Sequence, residues 1–143
     1  MNQEKKALII LHQQRSSYGD VGIKLKERGF KIDIKKPSLG DKLPENMNDH
    51  DVAIIYGGPM SANDNDDAIK YETDWISTAL DSEKPFLGIC LGAQILAKYL
   101  GCEVIKNKND LAEIGFYEIK PVGEGDSIFK DQNFFYQFHT EGF

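Results

Sequence analysis

Three short runs of consecutive apolar residues stand out in an otherwise mixed chain, at 7–11, 52–56 and 86–89. Unbroken apolar runs of this length are typical of parallel strands that are covered on both faces. Residues 30–34 alternate instead, with lysine and aspartate between apolar positions. This alternation predicts a strand near an edge of the sheet, with its lysines outward.

Helical spacing appears between these runs. Residues 20–28 put Val21 and Leu25 on one side, and Gly29 is a typical helix end. An acidic segment at 63–67 is rich in capping residues and predicts the start of a second helix. That helix should run to about Leu80. One face would hold Ala68, Tyr71, Trp75 and Ala79, with Ile69, Ile76 and Leu80 beside them.

A third helix is predicted from Gly92 to Leu100, with Gly101 as its C-terminal stop. Further strands are expected at 102–105, 113–120 and 134–138, and one helical turn at 127–130. The alternation of strands and helices predicts an α/β fold built on a doubly wound, mostly parallel sheet.

Composition narrows the function classes. At 143 residues, with 41% hydrophobic and 28% charged residues, the chain has the make-up of one ordinary globular domain. Its net charge of −6 argues against a nucleic-acid partner. No apolar run is long enough for a membrane span, so we expect no membrane partner. Two cysteines form neither a disulfide framework nor a metal spacing, which favours a cytoplasmic protein without a metal.

Cys90 lies where the third apolar run gives way to the third helix, with Gly88 and Gly92 two residues away on each side. This Gly-x-Cys-x-Gly pattern is the cysteine version of a nucleophile elbow. A sharp strand-to-helix turn strains its central residue and presses its neighbours together, so glycine is needed there. The N–H of Leu91 would then be available to stabilise an oxyanion.

Gly57 and Gly58 follow the second buried strand at once. A Gly-Gly turn at the end of a parallel strand exposes backbone N–H groups without side-chain cover. Taken alone, it indicates only a tight turn. Paired with an elbow on another strand, it is the natural second donor of an oxyanion hole, because both would lie at the carboxyl edge of the sheet.

Several other polar residues invite interpretation. His12 follows the first strand and could line a site, although a lone loop histidine is more often solvated. His50 is expected at the surface, Cys102 as a structural cysteine and Trp75 in the core. The acidic cluster Asp64, Asp66 and Asp67 is better explained by helix capping than by a metal.

Residues 86–94 (Phe-Leu-Gly-Ile-Cys-Leu-Gly-Ala-Gln) resemble the nucleophile motif of the class I glutamine amidotransferases. Residues 57–61 (Gly-Gly-Pro-Met-Ser) resemble the oxyanion-strand motif of that family. Residues 113–116 and 135–143 resemble two further segments of its GMP-synthase-like branch of stand-alone proteins. The resemblance implies a flavodoxin-like fold and one domain, 1–143, that lacks its C-terminal part.

The resemblance also implies residue roles. Cys90 would attack the side-chain amide of glutamine, release ammonia and form a glutamyl thioester. The N–H groups of Gly58 and Leu91 would hold the oxyanion, and no cofactor would be needed. The residues implied in substrate binding are Gly57, Gln94, His139 and Thr140.

The family completes its triad with a histidine and a glutamate in a downstream His-Pro-Glu-like segment that these 143 residues do not contain. Residues 137–141 look superficially like it, which makes His139 and Glu141 a candidate local substitute pair. Their neighbours instead align them with an earlier Gln-Trp-His-Gly-Asp-Thr-Phe-like segment of the family. There, Phe138 replaces Trp and Thr140-Glu141 replaces Gly-Asp.

Three functions therefore stay open at the level of sequence. The first is a truncated or split amidotransferase that acts with a synthase, an ammonia acceptor or a missing C-terminal fragment. The second is a non-catalytic remnant that binds glutamine or a partner protein. The third, motivated by the elbow alone, is a DJ-1/PfpI-like redox protein that uses Cys90. Truncation would expose apolar surface around Phe134, Phe135 and Phe138 and favour self-association.

Overall fold

The computed structural model describes residues 4–129 and 133–143, and the chain divides into two compact units. The first unit runs to Val104 and includes Phe143, and the second is Ile105–Gly142. Along the described ranges, no helix combines the length and the apolar character that crossing a membrane requires.

Four strands form the sheet of the first unit: β1 (Lys6–Ile10), β2 (Lys31–Lys35), β3 (Val52–Ile55) and β4 (Phe86–Gly88). Their order is β2-β1-β3-β4, and each neighbouring pair is parallel. This confirms the parallel α/β fold and the edge position of β2. The prediction of a fully buried strand at 86–89 is wrong, because Leu87 is 44% exposed where β4 borders this sheet.

Helices cover both faces of the sheet: α1 (Gly19–Glu27), α2 (Asp67–Asp81) and α3 (Leu91–Tyr99). Alternate residues of β1 point to opposite sides. Leu8 and Ile10 pack in the cluster that contains the buried residues of α2 and α3. Ile9 packs in a second cluster that Val21 and Leu25 of α1 cover. The sheet is therefore doubly wound, as the sequence predicts.

Glycines end two of these helices as expected. Gly29 and Gly101 adopt positive φ angles of 81° and 87°. In each case the next two N–H groups return to the last helical turn; for α3, Gly101 donates to the Lys98 carbonyl and Cys102 to the Ala97 carbonyl. This is the Schellman arrangement, which satisfies carbonyls that the helix leaves open.

The buried stripe of α2 differs from the predicted face. It consists of Ile69, Glu72, Trp75, Ile76 and Ala79. Trp75 is in the core as predicted, but Tyr71 is 40% exposed and its hydroxyl accepts a hydrogen bond from the Leu43 N–H. The sequence therefore predicts the helix correctly but places its inward face about one residue too early, and it does not anticipate a buried glutamate.

His50 is only 4% exposed, so its expected surface position is wrong. Its Nε2 lies 2.9 Å from Asp33 Oδ2, and Lys6 Nζ lies 3.3 Å from the same oxygen. Burial raises the pKa of Asp33, but hydrogen bonds from His50 and Lys6 and the charges of Lys35 and Lys6 outweigh it and leave this pKa below 3.8. The carboxylate therefore links β2 to the start of β1 and to the loop before β3.

The second unit contains two antiparallel strand pairs. β6 (Glu113–Glu118) pairs with β7 (Phe134–His139), and β5 (Ile105–Lys106) pairs with β8 (Glu141–Gly142). The predicted strand at 102–105 thus begins later, and Cys102 is exposed rather than buried. A short helix, α4 (Gly125–Ile128), replaces the helical turn expected at 127–130, whose last residue lies outside the described ranges.

One face of the β6–β7 hairpin is apolar and exposed. Cross-strand pairing places Ile114 beside Phe138 and Phe116 beside Tyr136. These four side chains are between 56% and 73% exposed. Of the three phenylalanines expected to be exposed, Phe134 and Phe138 are exposed and Phe135 is partly buried.

Candidate functional site

Cys90 stands at the bend between β4 and α3. Its backbone has φ 52° and ψ −110°, outside the regions that non-glycine residues ordinarily occupy, and the residue is exposed. Leu91 begins α3, so its N–H has no acceptor within the helix. The turn therefore combines an exposed thiol with helix N–H groups that can face a ligand.

The flanking glycines are required by space. A Cβ on Gly92 would lie 2.1 Å from the carbonyl oxygen of Ile55, and one on Gly88 would lie 2.7 Å from the backbone of Gly92 and Ala93. Side chains cannot occupy these positions without moving backbone. The local sequence folds into so sharp a turn because only glycine allows strand β4 and helix α3 to approach this closely.

The Gly57-Gly58 turn lies beside the thiol. A Cβ on Gly57 would be 3.2 Å from the Cβ of Cys90 and 3.6 Å from its Sγ. A Cβ on Gly58 would be 2.9 Å from the His12 ring and 3.0 Å from the Leu91 side chain. The structure thus brings the ends of β1, β3 and β4 together around Cys90, with backbone rather than side chains facing the sulfur.

Gln94 lies one turn into α3 and is only 7% exposed. Its backbone N–H donates to the Cys90 carbonyl at 3.0 Å, which continues the helix from the bend. The amide side chain is therefore held close to the elbow by the same helix that positions the thiol.

His12 is buried behind the Gly57-Gly58 turn, so the expectation of a solvated histidine is wrong. The residue is 4% exposed. Its Nδ1 lies 3.1 Å from the Gly57 carbonyl oxygen, and its Nε2 lies 2.9 Å from Glu72 Oε2. Both side chains of this His–Glu pair are fully buried.

Sequence reasoning missed Glu72 entirely. The available signal was its position: three residues after Ile69 and four before Ile76, a carboxylate falls on the apolar stripe of α2. A buried charge on such a stripe needs a partner, and His12 directly after a buried strand was a suitable candidate.

The predicted site residues of the second unit form their own group. His139 Nε2 lies 2.9 Å from Glu113 Oε2, and its Nδ1 donates to the Glu141 carbonyl at 2.9 Å. The Thr140 carbonyl accepts from the Asn107 N–H at 2.8 Å. The carboxylate beside the His139 ring is therefore that of Glu113.

The acidic cluster before α2 has a structural role. Asp66 accepts hydrogen bonds from the N–H groups of Ala68 and Ile69, and Asp64 accepts one from Ser61. This confirms the capping interpretation. Across residues 4–129 and 133–143, no three His, Cys, Asp or Glu side chains are grouped so as to hold a metal.

Comparison with known proteins links this geometry to one family. The model of the family described as glutamine amidotransferase class-I matches residues 21–142. The glutamine amidotransferase-like protein YfeJ of Salmonella typhimurium is 29% identical over 115 residues, which cover 77% of this chain. One of the subunits of the glutamine-hydrolyzing GMP synthase of Sulfolobus acidocaldarius is 34% identical over 90 residues, which cover 63% of it.

Among solved structures, a glutamine amidotransferase from Thermotoga maritima superimposes with a TM-score of 0.85 at 29% identity. The superposition covers 97% of this chain and 62% of that one. The chain matches only about half the length of the two curated relatives, 47% of YfeJ and 45% of the GMP synthase protein.

Proposed function

The chain belongs to the class I glutamine amidotransferase family, and on that basis we propose that it carries a glutamine-hydrolysing site with Cys90 as the nucleophile. The observation that carries this proposal is the position of Gly57 beside the Cys90 sulfur, which leaves backbone N–H groups facing an exposed thiol. A site of this kind suits acyl transfer, in which a nucleophile and an oxyanion hole act on one carbonyl group.

In the proposed reaction, the Cys90 sulfur attacks the side-chain amide carbon of glutamine and forms a C–S bond. The carbonyl oxygen becomes an oxyanion, which the N–H groups of Gly58 and Leu91 stabilise. The C–N bond then breaks, the nitrogen takes up a proton, and ammonia leaves a glutamyl thioester. Water hydrolyses the thioester to glutamate and restores the thiol.

Gly57, Gln94, His139 and Thr140 are proposed to contact glutamine. The thiol must lose a proton and the leaving nitrogen must gain one, so the site needs a general base. We propose that a segment beyond these 143 residues supplies it, with His139 and Glu141 as the local alternative. The names of the relatives suggest a synthase as the recipient of ammonia.

Labelling with L-2-amino-4-oxo-5-chloropentanoate, the chloromethyl ketone analogue of glutamine, tests the proposal. The thiolate should displace chloride and leave a stable thioether on Cys90. Cys102 is a matched control because it is also exposed. Mass spectrometry should locate the adduct on Cys90 in the Cys102→Ala variant, and glutamine should protect against it. Labelling that ignores glutamine would contradict a glutamine site.

The same protein distinguishes catalysis from binding alone. Ammonia release that exceeds the rate of the Cys90→Ala variant would show a complete glutaminase in these residues. Protected labelling without ammonia release would instead support the non-catalytic glutamine-binding function. Rapid peroxide oxidation of Cys90 without any protection by glutamine would favour the redox alternative.

A further inference from the structure

The buried His12–Glu72 pair takes no part in the chemistry proposed above, although it lies next to the reacting groups. The two residues are 60 positions apart in sequence, on the end of β1 and in the middle of α2. Their side chains are fully buried, and His12 also reaches the carbonyl of Gly57. A polar pair removed from water in this way is costly unless its hydrogen bonds are satisfied.

The Gly57 carbonyl decides where one proton lies. A carbonyl oxygen only accepts hydrogen bonds, so Nδ1 of His12 must carry the hydrogen in this 3.1 Å contact. On the other side of the ring, one proton joins Nε2 to Glu72 Oε2 at 2.9 Å, as either an imidazolium–carboxylate or an imidazole–carboxylic acid pair. Both arrangements keep the hydrogen on Nδ1, so Glu72 fixes the tautomer.

This donor fixes the orientation of one peptide group. The Gly57 carbonyl and the Gly58 N–H belong to the same trans peptide, in which they point in opposite directions. Between two glycines, a peptide plane can rotate with little steric resistance. A hydrogen bond that holds the carbonyl towards His12 therefore holds the Gly58 N–H on the side away from the ring.

We propose that His12 and Glu72 are positioning residues that preorganise the oxyanion hole through the Gly57–Gly58 peptide. This inference rests on the proposed function, in which the Gly58 N–H is an oxyanion donor. Preorganised donors stabilise developing charge without having to reorient during the reaction. The pair thus acts through the backbone and does not touch the substrate.

Two substitutions at one position separate positioning from mere filling of the core. In His12→Asn, the side-chain NH₂ takes roughly the place of Nδ1 and can still donate to the Gly57 carbonyl. In His12→Gln, the longer amide takes the place of Nε2, so it keeps the contact with Glu72 and loses the contact with Gly57. Glu72→Gln keeps the shape and can donate to Nε2, which leaves the hydrogen on Nδ1.

The readout is the rate at which Cys90 reacts with the chloromethyl ketone analogue of glutamine, divided by its rate with iodoacetamide. We expect His12→Gln to lower this ratio about tenfold or more, because removing one oxyanion donor costs about 10²–10³ in rate. His12→Asn and Glu72→Gln should stay within about threefold of the unmodified protein. Equal losses in the Asn and Gln variants would overturn the proposal and assign the pair to packing.

Measurement of the unmodified protein covers the case in which a variant does not fold. Long-range ¹H–¹⁵N spectra should show a protonated Nδ1 in His12, and an unprotonated Nδ1 would reject the proposal. If the unmodified protein reacts with the ketone no faster than a chloromethyl ketone without the amino-acid part does, the proposed function fails. The ¹⁵N result then still decides whether His12 anchors the turn.

Discussion

Gly92 lies directly against the backbone of Ile55, so closely that a Cβ on the glycine would come within 2.1 Å of the Ile55 carbonyl oxygen. The first turn of α3 therefore packs on the end of β3 with no side chain between them. This close approach places the elbow beside the glycine turn that follows β3. The position of Cys90 depends on it.

Substitution of Gly92 by Ala should consequently destabilise the protein, although alanine favours helices. The added methyl group has to displace backbone, and overpacking of this kind costs about 1–3 kcal/mol. Urea unfolding followed by circular dichroism measures the change. Gly101→Asn is the control, because this glycine has open space around it and asparagine tolerates its positive φ of 87°. Equal stability of the Gly92→Ala protein would contradict the close packing.

The backbone strain at Cys90 predicts a conflict between stability and chemistry. With φ at 52° and ψ at −110°, Cys90 holds a conformation that glycine adopts more easily. Cys90→Gly should therefore be about 1 kcal/mol more stable than Cys90→Ala, and neither should react with the glutamine analogue. The same Gly–Ala comparison at Cys102, which has no positive φ, should favour Ala or show no difference.

The N-cap of α2 makes a separate contribution. Asp66 Oδ1 accepts from the Ala68 N–H at 2.7 Å. Its replacement by Ala should lower the free energy of unfolding by about 1 kcal/mol, whereas Asp66→Asn should be nearly neutral because asparagine caps as well. Thermal unfolding of both variants distinguishes the cap from a general effect of charge, which would affect the two equally.

The Asp33 network predicts a dependence on acid. The pKa of this carboxyl is lower in the folded protein than its ordinary value of 3.8, so its ionised form stabilises the fold at higher pH. That contribution is complete above about pH 4 and is lost as the pH falls below 3.8 through the folded pKa. Asp33→Asn should therefore be less stable than the unmodified protein at pH 7.

The difference between these two proteins should shrink as the pH is lowered from about 4 to about 2. Parallel urea titrations across this range measure it, and the subtraction removes the effect of other carboxyl groups. A constant difference in stability would show that the Asp33 charge does not contribute through its shifted pKa.

The apolar face of the β6–β7 hairpin predicts self-association. Ile114, Phe116, Tyr136 and Phe138 form one exposed patch. Sedimentation velocity should show a molecular mass that rises with concentration, and Phe116→Lys should reduce this effect. Tyr117→Lys is a control because Tyr117 lies on the other face of the hairpin. Monomeric behaviour at high concentration would refute the prediction.

Much of the fold is predictable because its strongest signals are local. The runs at 7–11 and 52–56 correspond to strands buried in the middle of the sheet, and Gly29 and Gly101 end helices by a mechanism that needs only a few residues. The elbow is recognisable for the same reason. Its three central residues, Gly88, Cys90 and Gly92, lie within one turn.

The remaining features depend on distant contacts. A histidine in a loop and a glutamate on a helix give no sign that His12 and Glu72 meet in the core, because that contact requires α2 to be packed behind β3. Leu87 is similarly apolar in sequence, but its exposure depends on the place of β4 in the sheet order. Local patterns fix elements, whereas strand order decides which polar groups become partners.

The strand order has a consequence for synthesis of the chain. Because β1 lies between β2 and β3, and β4 follows on the far side of β3, each new strand can pair with an edge that already exists. No strand has to enter between two others. As the protein leaves the ribosome, the sheet can grow outward from its first segment. The reactive sulfur would emerge only when the surface that supports it is already assembled.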